Sequence, residues 1–105
     1  MSLFAVIRKV GPGWDPARPL REQPAWSEHA EFMDELAAEG FVVLGGPIGG
    51  GPTTLLIVDA PSEREIRSRL GQDPWTPMKL LRIAKIDPWD LLLGTEVIAA
   101  SPSLR

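Results

Sequence analysis

The sequence has no cysteine and only one histidine, His29, in 105 residues. Without cysteine there can be no disulfide, no thiolate nucleophile and no cysteine-ligated zinc. A single imidazole leaves oxygen donors to complete any metal site, and no spacing of Asp and Glu resembles a calcium loop, so no metal is expected. No run of lysine or arginine reaches five, and eleven basic residues face fourteen acidic ones. Nucleic acid and anionic membrane surfaces need a clustered positive field, so neither is expected as a partner. Long apolar runs are missing too. The N-terminal one, Leu3 to Ile7, is too short for a signal segment or a membrane span. The expectation is one small cytoplasmic domain over residues 1–94, followed by a loose tail over 95–105.

Four short apolar segments read as strands: Leu3–Ile7, Phe41–Leu44, Leu55–Val58 and Leu80–Ile86. Between them lie two helical stretches. The first runs from about Pro24, which suits a first turn, to Glu39, with Gly40 as its terminating glycine. The second opens on Ser62, with Glu65 completing a capping box, and ends at Gly71. The order strand, helix, strand, strand, helix, strand predicts an α+β, ferredoxin-like βαββαβ fold with a four-stranded antiparallel sheet. The first three strands are continuously apolar rather than alternating, which implies that both faces of the sheet are covered. Two helices cover one face. A homodimer through the other face is the expected solution, and Leu91–Leu93 are candidates to pack across that interface.

Two connections are irregular. Gly11 to Gln23 is long and rich in proline, which marks a functional or mobile loop. Gly45 to Pro52 is rich in glycine, but Pro52 and Thr53 follow its last glycine and a strand comes next. A phosphate-binding loop needs Lys-Ser/Thr and a helix there, so the segment reads as a hairpin able to rim a pocket.

His29 shares one helical stripe with Trp26, Met33, Leu36 and Gly40, at the spacing that meets on a helix surface. Such a histidine is either a hydrogen-bonded packing residue or a group that accepts and donates protons near neutrality. Asp73 begins an Asp-Pro-Trp turn between the second helix and the last strand. It is either a turn initiator or the carboxylate that orients the imidazole. Trp26 and Trp75 flank these two residues and are candidates to line a substrate pocket. Trp14 and Trp89 read as core or interface residues. Arg8 and Lys9 end the first strand, and Arg8 is a candidate substrate-binding group for an anion. Arg64, Arg67 and Arg69 read as a solvated helix face.

With these features in place, the chain resembles the YciI-like (YCII-related) family. The likeness rests on His29 opening His-Ala-Glu-Phe-Met-Asp-Glu-Leu, then Glu39-Gly40, Gly46-Pro47, the Asp73-Pro74-Trp75 turn and Pro88-Trp89. It spans most of residues 3–94. The resemblance implies a ferredoxin-like fold of the dimeric α+β barrel superfamily, pairing through its sheets. It also implies a catalytic centre of one histidine and one aspartate, which falls on His29 and Asp73. One type of member dehydrochlorinates a chlorinated hydroxyhydroquinone. Many members carry an arginine three residues before the histidine, where this chain has Trp26, and their first connection is shorter than residues 11–23.

The leading expectation is therefore a small cofactor-independent enzyme of lyase or isomerase type. It would act on a cyclic or aromatic metabolite, with His29 moving the proton and Asp73 holding it. The alternative is a non-catalytic dimeric module for a small ligand or a partner protein. A weaker alternative is an oxygen-using monooxygenase of the related barrel type.

Overall fold

The computed structural model describes residues 2–94 and Glu96; apart from Glu96, the tail expected over residues 95–105 lies outside the described residues. The elements run β1 (Leu3–Val10), a short 3₁₀ turn (Leu20–Glu22), α1 (Trp26–Ala38), β2 (Val42–Pro47), β3 (Thr54–Asp59), α2 (Glu63–Leu70) and β4 (Leu81–Pro88). The strands form one sheet in the order β2-β3-β1-β4, and every neighbouring pair is antiparallel. This is the expected ferredoxin-like α+β arrangement: each βαβ unit leaves a gap that a strand of the other unit fills.

Alternation along β1 separates the two faces. Phe4 and Val6 point to the helices and join Leu56, Val58, Leu36, Ile66 and Leu70 in the main core. Leu3 and Ala5 point the other way, with Leu55, Ile57 and Val43 in a second cluster. The strand, whose apolar run stops at Ile7 and which was expected to end on Arg8 and Lys9, reaches Val10, with a bulge opposite β4 between Ile7 and Arg8. The alternation carries on through the bulge, so Arg8 lies buried on the helix side. Leu91 packs on the second cluster, on the face expected to meet a second subunit, and Leu92 and Leu93 are exposed.

Local chemistry explains the helix ends. The Ser62 hydroxyl accepts from the Glu65 amide at 3.2 Å, the N-cap half of the expected capping box; among the described residues the Ser62 amide makes no bond to the Glu65 carboxylate. At the end of α1, the Gly40 amide bonds the Ala37 carbonyl and the Phe41 amide bonds the Leu36 carbonyl. Gly40 has φ 82°, the left-handed turn that closes a Schellman motif, and Phe41 and Leu36 meet in the core below it. The start of α1 differs from expectation. The helix begins at Trp26, not near Pro24, and Ala25 sits in the left-handed region at φ 57°. The reason is tertiary: the Trp75 indole donates to the Pro24 carbonyl at 2.6 Å and fixes the approach to the helix.

The long 11–23 connection is pinned to the body of the protein. The Gly11 and Gly13 amides bond the Leu80 and Lys79 carbonyls at 2.9 Å. At Gly13 a Cβ would run into the Met78 carbonyl, so Gly13→Ala is expected to cost about 1–3 kcal/mol by overpacking backbone against backbone. A drop in the thermal midpoint of several degrees, read by circular dichroism, checks this; an unchanged midpoint refutes it.

Candidate active site

α2 ends in a tight turn that delivers Asp73 and Trp75 to the underside of α1. The Asp73 amide bonds the Leu70 carbonyl and the Thr76 amide bonds the Asp73 carbonyl, which closes the turn on both sides of Asp73. The Trp75 amide donates to Asp73 Oδ1 at 2.9 Å, which fixes the carboxylate from within its own turn. Both Asp73 and Trp75 are completely buried.

His29 comes from the first turn of α1, on the stripe that also buries Leu36. Its Nδ1 lies 2.9 Å from Asp73 Oδ1 and 2.8 Å from Oδ2. The imidazole stacks on the Trp75 indole at 3.8 Å with only 5° between the ring planes. Trp26 leans over both rings at 5.7 and 5.9 Å. An ionised carboxylate only accepts hydrogen bonds, so Nδ1 carries the proton and, in the neutral ring, Nε2 is the free base. Among the described residues Nε2 has no hydrogen-bond partner, yet Arg8 Nε is the sole fully buried side-chain nitrogen or oxygen left unpaired. Nε2 therefore keeps access to solvent while the rest of the ring is clamped.

Arg8 completes the group from β1. Its Nη2 donates to Asp73 Oδ2 at 3.0 Å, with both side chains buried, and its Nη1 reaches the Met33 sulfur at 3.6 Å. Burial pushes the Asp73 carboxyl upward, but the His29 bond, the Trp75 amide and the Arg8 and His29 charges outweigh it and leave the group below its ordinary 3.8. A lowered folded value means that ionised Asp73 stabilises the fold above about pH 4 and that this contribution disappears as the pH falls through the lower folded value. Urea midpoints are therefore expected to drop steeply below about pH 4 in the native protein and less steeply in Asp73→Asn. Parallel curves would refute that assignment.

A cavity of about 340 Å³ opens beside His29. Trp26, Met33 and Trp75 form its inner wall, and Gly45 to Pro47 of β2 form its rim. A Cβ at Gly45 would lie 2.7 Å from Leu56 Cδ2, so the Leu56 side chain would have to shift to admit one.

Of the residues singled out from the sequence, the fold gathers His29, Asp73, Trp26, Trp75 and Arg8. The placement of Arg8 differs from expectation: two of its three nitrogens are directed at Asp73 and Met33, so it braces the carboxylate instead of presenting a free anion contact. Trp89 and Lys9 lie elsewhere and are exposed. Sequence reasoning missed Trp14, which meets Trp75 edge-on at 5.8 Å and joins the cavity wall. It also missed buried Gln23. The side-chain amide of Gln23 donates to the Asp15 and Arg18 carbonyls at 2.7 and 2.8 Å, and its oxygen accepts from the Asp15 amide at 3.1 Å. The alternation of β1 was a usable signal for Arg8; no local pattern marks the other two.

No family model and no curated protein matches the sequence. Among solved structures, the chain is similar to a 5-chloro-2-hydroxyhydroquinone dehydrochlorinase from Burkholderia phenoliruptrix AC1100, determined in complex with 2,5-dihydroxybenzoquinone. The two share 25% identity over 90% of this chain and 97% of the other, with a TM-score of 0.53. The chain has the ferredoxin-like fold of the dimeric α+β barrel proteins. Among the described residues, no helix is long and apolar enough to cross a membrane.

Proposed function

We propose that this protein is a small cofactor-independent enzyme of lyase or isomerase type, of the YciI-like kind, acting on a hydroxylated cyclic or aromatic molecule. The observation that carries the proposal is the His29 ring: held at Nδ1 by a buried carboxylate, stacked on Trp75, and open only at Nε2 beside a cavity. A group needed only for packing gains nothing from a fixed tautomer with one accessible nitrogen. The structural likeness to a dehydrochlorinase, solved with a ring-shaped ligand, supports the same class of chemistry.

In this reading, Nε2 takes a proton from the bound ring. The bonding pair left behind moves into the ring as the leaving group departs with its own pair, or the proton returns at a second carbon. Asp73 stabilises the imidazolium formed in between. Trp26 and Trp75 present aromatic surface to the substrate, and Arg8 acts through Asp73. A positioned acid–base group is worth about 10²–10⁴-fold in rate, enough for an activated ring.

The test is a panel of chlorinated hydroxyhydroquinones under anaerobic conditions, read by chloride release and acid production. Equimolar chloride and acid, released faster than without protein, are expected for at least one. A panel-wide rate equal to the protein-free control, or an absolute need for oxygen, would sink the proposal.

A homodimer through the sheet belongs to the same proposal. The cluster of Leu3, Val43 and Ile57 lies on the face away from the helices, and Leu44 beside it is exposed. A second sheet laid on this face would cover Leu44 and the partly buried Ala5 and Leu55. Sedimentation equilibrium is expected to give twice the chain mass, and a monomer at micromolar concentration contradicts the pairing.

A further inference from the structure

The cavity beside His29 does not end at the catalytic ring. A second hollow of about 620 Å³ adjoins it, between the 11–23 connection and the β2–β3 hairpin. The two share Trp14, Leu20, Pro47, Pro52 and Thr54 in their walls, so they lie side by side. The outer part adds Val10, Pro16 and Pro19, and its lining is predominantly apolar.

The walls of this outer part are held by hydrogen bonds. Buried Gln23 ties Asp15 and Arg18 into one compact loop, and the same loop is stitched to the Thr76–Leu80 turn through Gly11 and Gly13. Across the cleft, the hairpin is closed by the Ile48 amide on the Thr53 carbonyl at 2.9 Å. Such preorganisation lowers the ordering cost of binding. It also accounts for Leu20, a large apolar side chain left 42% exposed at the mouth of the cleft. None of these features serves proton transfer at His29, and a single hydroxylated ring would leave the outer hollow to water.

We infer that the substrate is a two-part molecule: a hydroxylated ring at His29 carrying an apolar ring or chain that lies along Leu20 and the proline-rich loop. This rests on the proposed function for the identity of the inner ring, and on the shape of the cleft for the second part.

The test compares 2,5-dihydroxybenzoquinone with its phenyl-substituted derivative by calorimetry, on the native protein and on His29→Ala. Intermolecular nuclear Overhauser effects to the Leu20 methyl groups report where the added ring lies. The derivative is expected to bind the native protein about tenfold more tightly or better, the order that burying part of an added ring supplies, with its phenyl protons close to Leu20. Equal or weaker binding of the derivative, no binding of either compound, or contacts away from Leu20 would overturn the inference. The two readings separate in the variant. If the phenyl gain persists while neither affinity nor any turnover depends on His29, the two-part cleft stands and the catalytic reading falls. If chloride release from the chlorinated hydroxyhydroquinones needs His29 but the phenyl group adds nothing to binding, the catalytic reading stands and the two-part substrate falls.

Discussion

Replacing His29 by alanine is expected to lower turnover of the ring substrate by about 10²–10⁴-fold, the range for loss of a positioned acid–base group. The loss should appear in kcat rather than in KM, because Nε2 interacts most strongly when the proton is in flight. The fold should survive. His29 contributes one ring to a stack in which Trp75 remains held by its own bonds to Pro24 and Leu80. Steady-state kinetics with circular dichroism checks both halves. A variant that retains most of its turnover eliminates His29 as the base. A variant that unfolds without any activity having been found favours the packing role of this residue.

The second large effect is expected from Asp73→Asn, and it is mainly one of stability. The carboxylate sits between three donors, His29 Nδ1, Arg8 Nη2 and the Trp75 amide, with no solvent contact. An amide of the same shape presents at least one N–H to that ring of donors and leaves the buried guanidinium without a counter-charge. Breaking a buried ion pair from one side costs about 3–5 kcal/mol, a large share of the roughly 5–15 kcal/mol that holds a domain together. Arg8→Met combined with Asp73→Asn removes the stranded charge, so the double variant should be more stable than the sum of the single losses predicts. Chemical unfolding of the four proteins measures this coupling. A cost for Asp73→Asn below about 1 kcal/mol, or strict additivity, would show that Arg8 and Asp73 do not depend on each other. Any surviving Asp73→Asn protein should also turn over slowly, since the amide no longer stabilises an imidazolium.

The arginine explains a tension in the site. Burying Asp73 alone would favour its neutral form, which would release its hold on the His29 proton. Arg8, His29 and the Trp75 amide together keep it ionised. The Arg8 Nε atom is left unpaired in the process. Orphaning one buried donor costs about 1–3 kcal/mol, a local sacrifice of the kind that functional sites retain.

Much of this was legible along the chain, for reasons specific to each element. α2 announces itself through Ser62 and Glu65, because the N-cap bond from the Glu65 amide to the Ser62 hydroxyl is made within four residues. The end of α1 is equally local, since Gly40 alone tolerates the left-handed turn at low cost. Its beginning was placed two residues early, because the Trp75 indole that holds the Pro24 carbonyl lies 51 residues away. The extent of β1 was underestimated for a related reason. Arg8 looks like the end of an apolar strand until Asp73 arrives to neutralise it across a separation of 65 residues.

The sequence by itself determined the order of strands and helices, the helix-side placement of His29 and the list of residues from which a site was to be assembled. These follow from periodicity, caps and the chemistry of single side chains, all of which act over a few residues. Only the tertiary structure decided that Asp73 reaches His29 and that Arg8 braces the carboxylate. It also decided that the 11–23 connection is a hydrogen-bonded wall rather than a loose loop. Each of those depends on buried polar groups finding partners from distant parts of the chain. A buried charge has to be paired to exist at all, but its own neighbours in sequence do not specify which residue will do so.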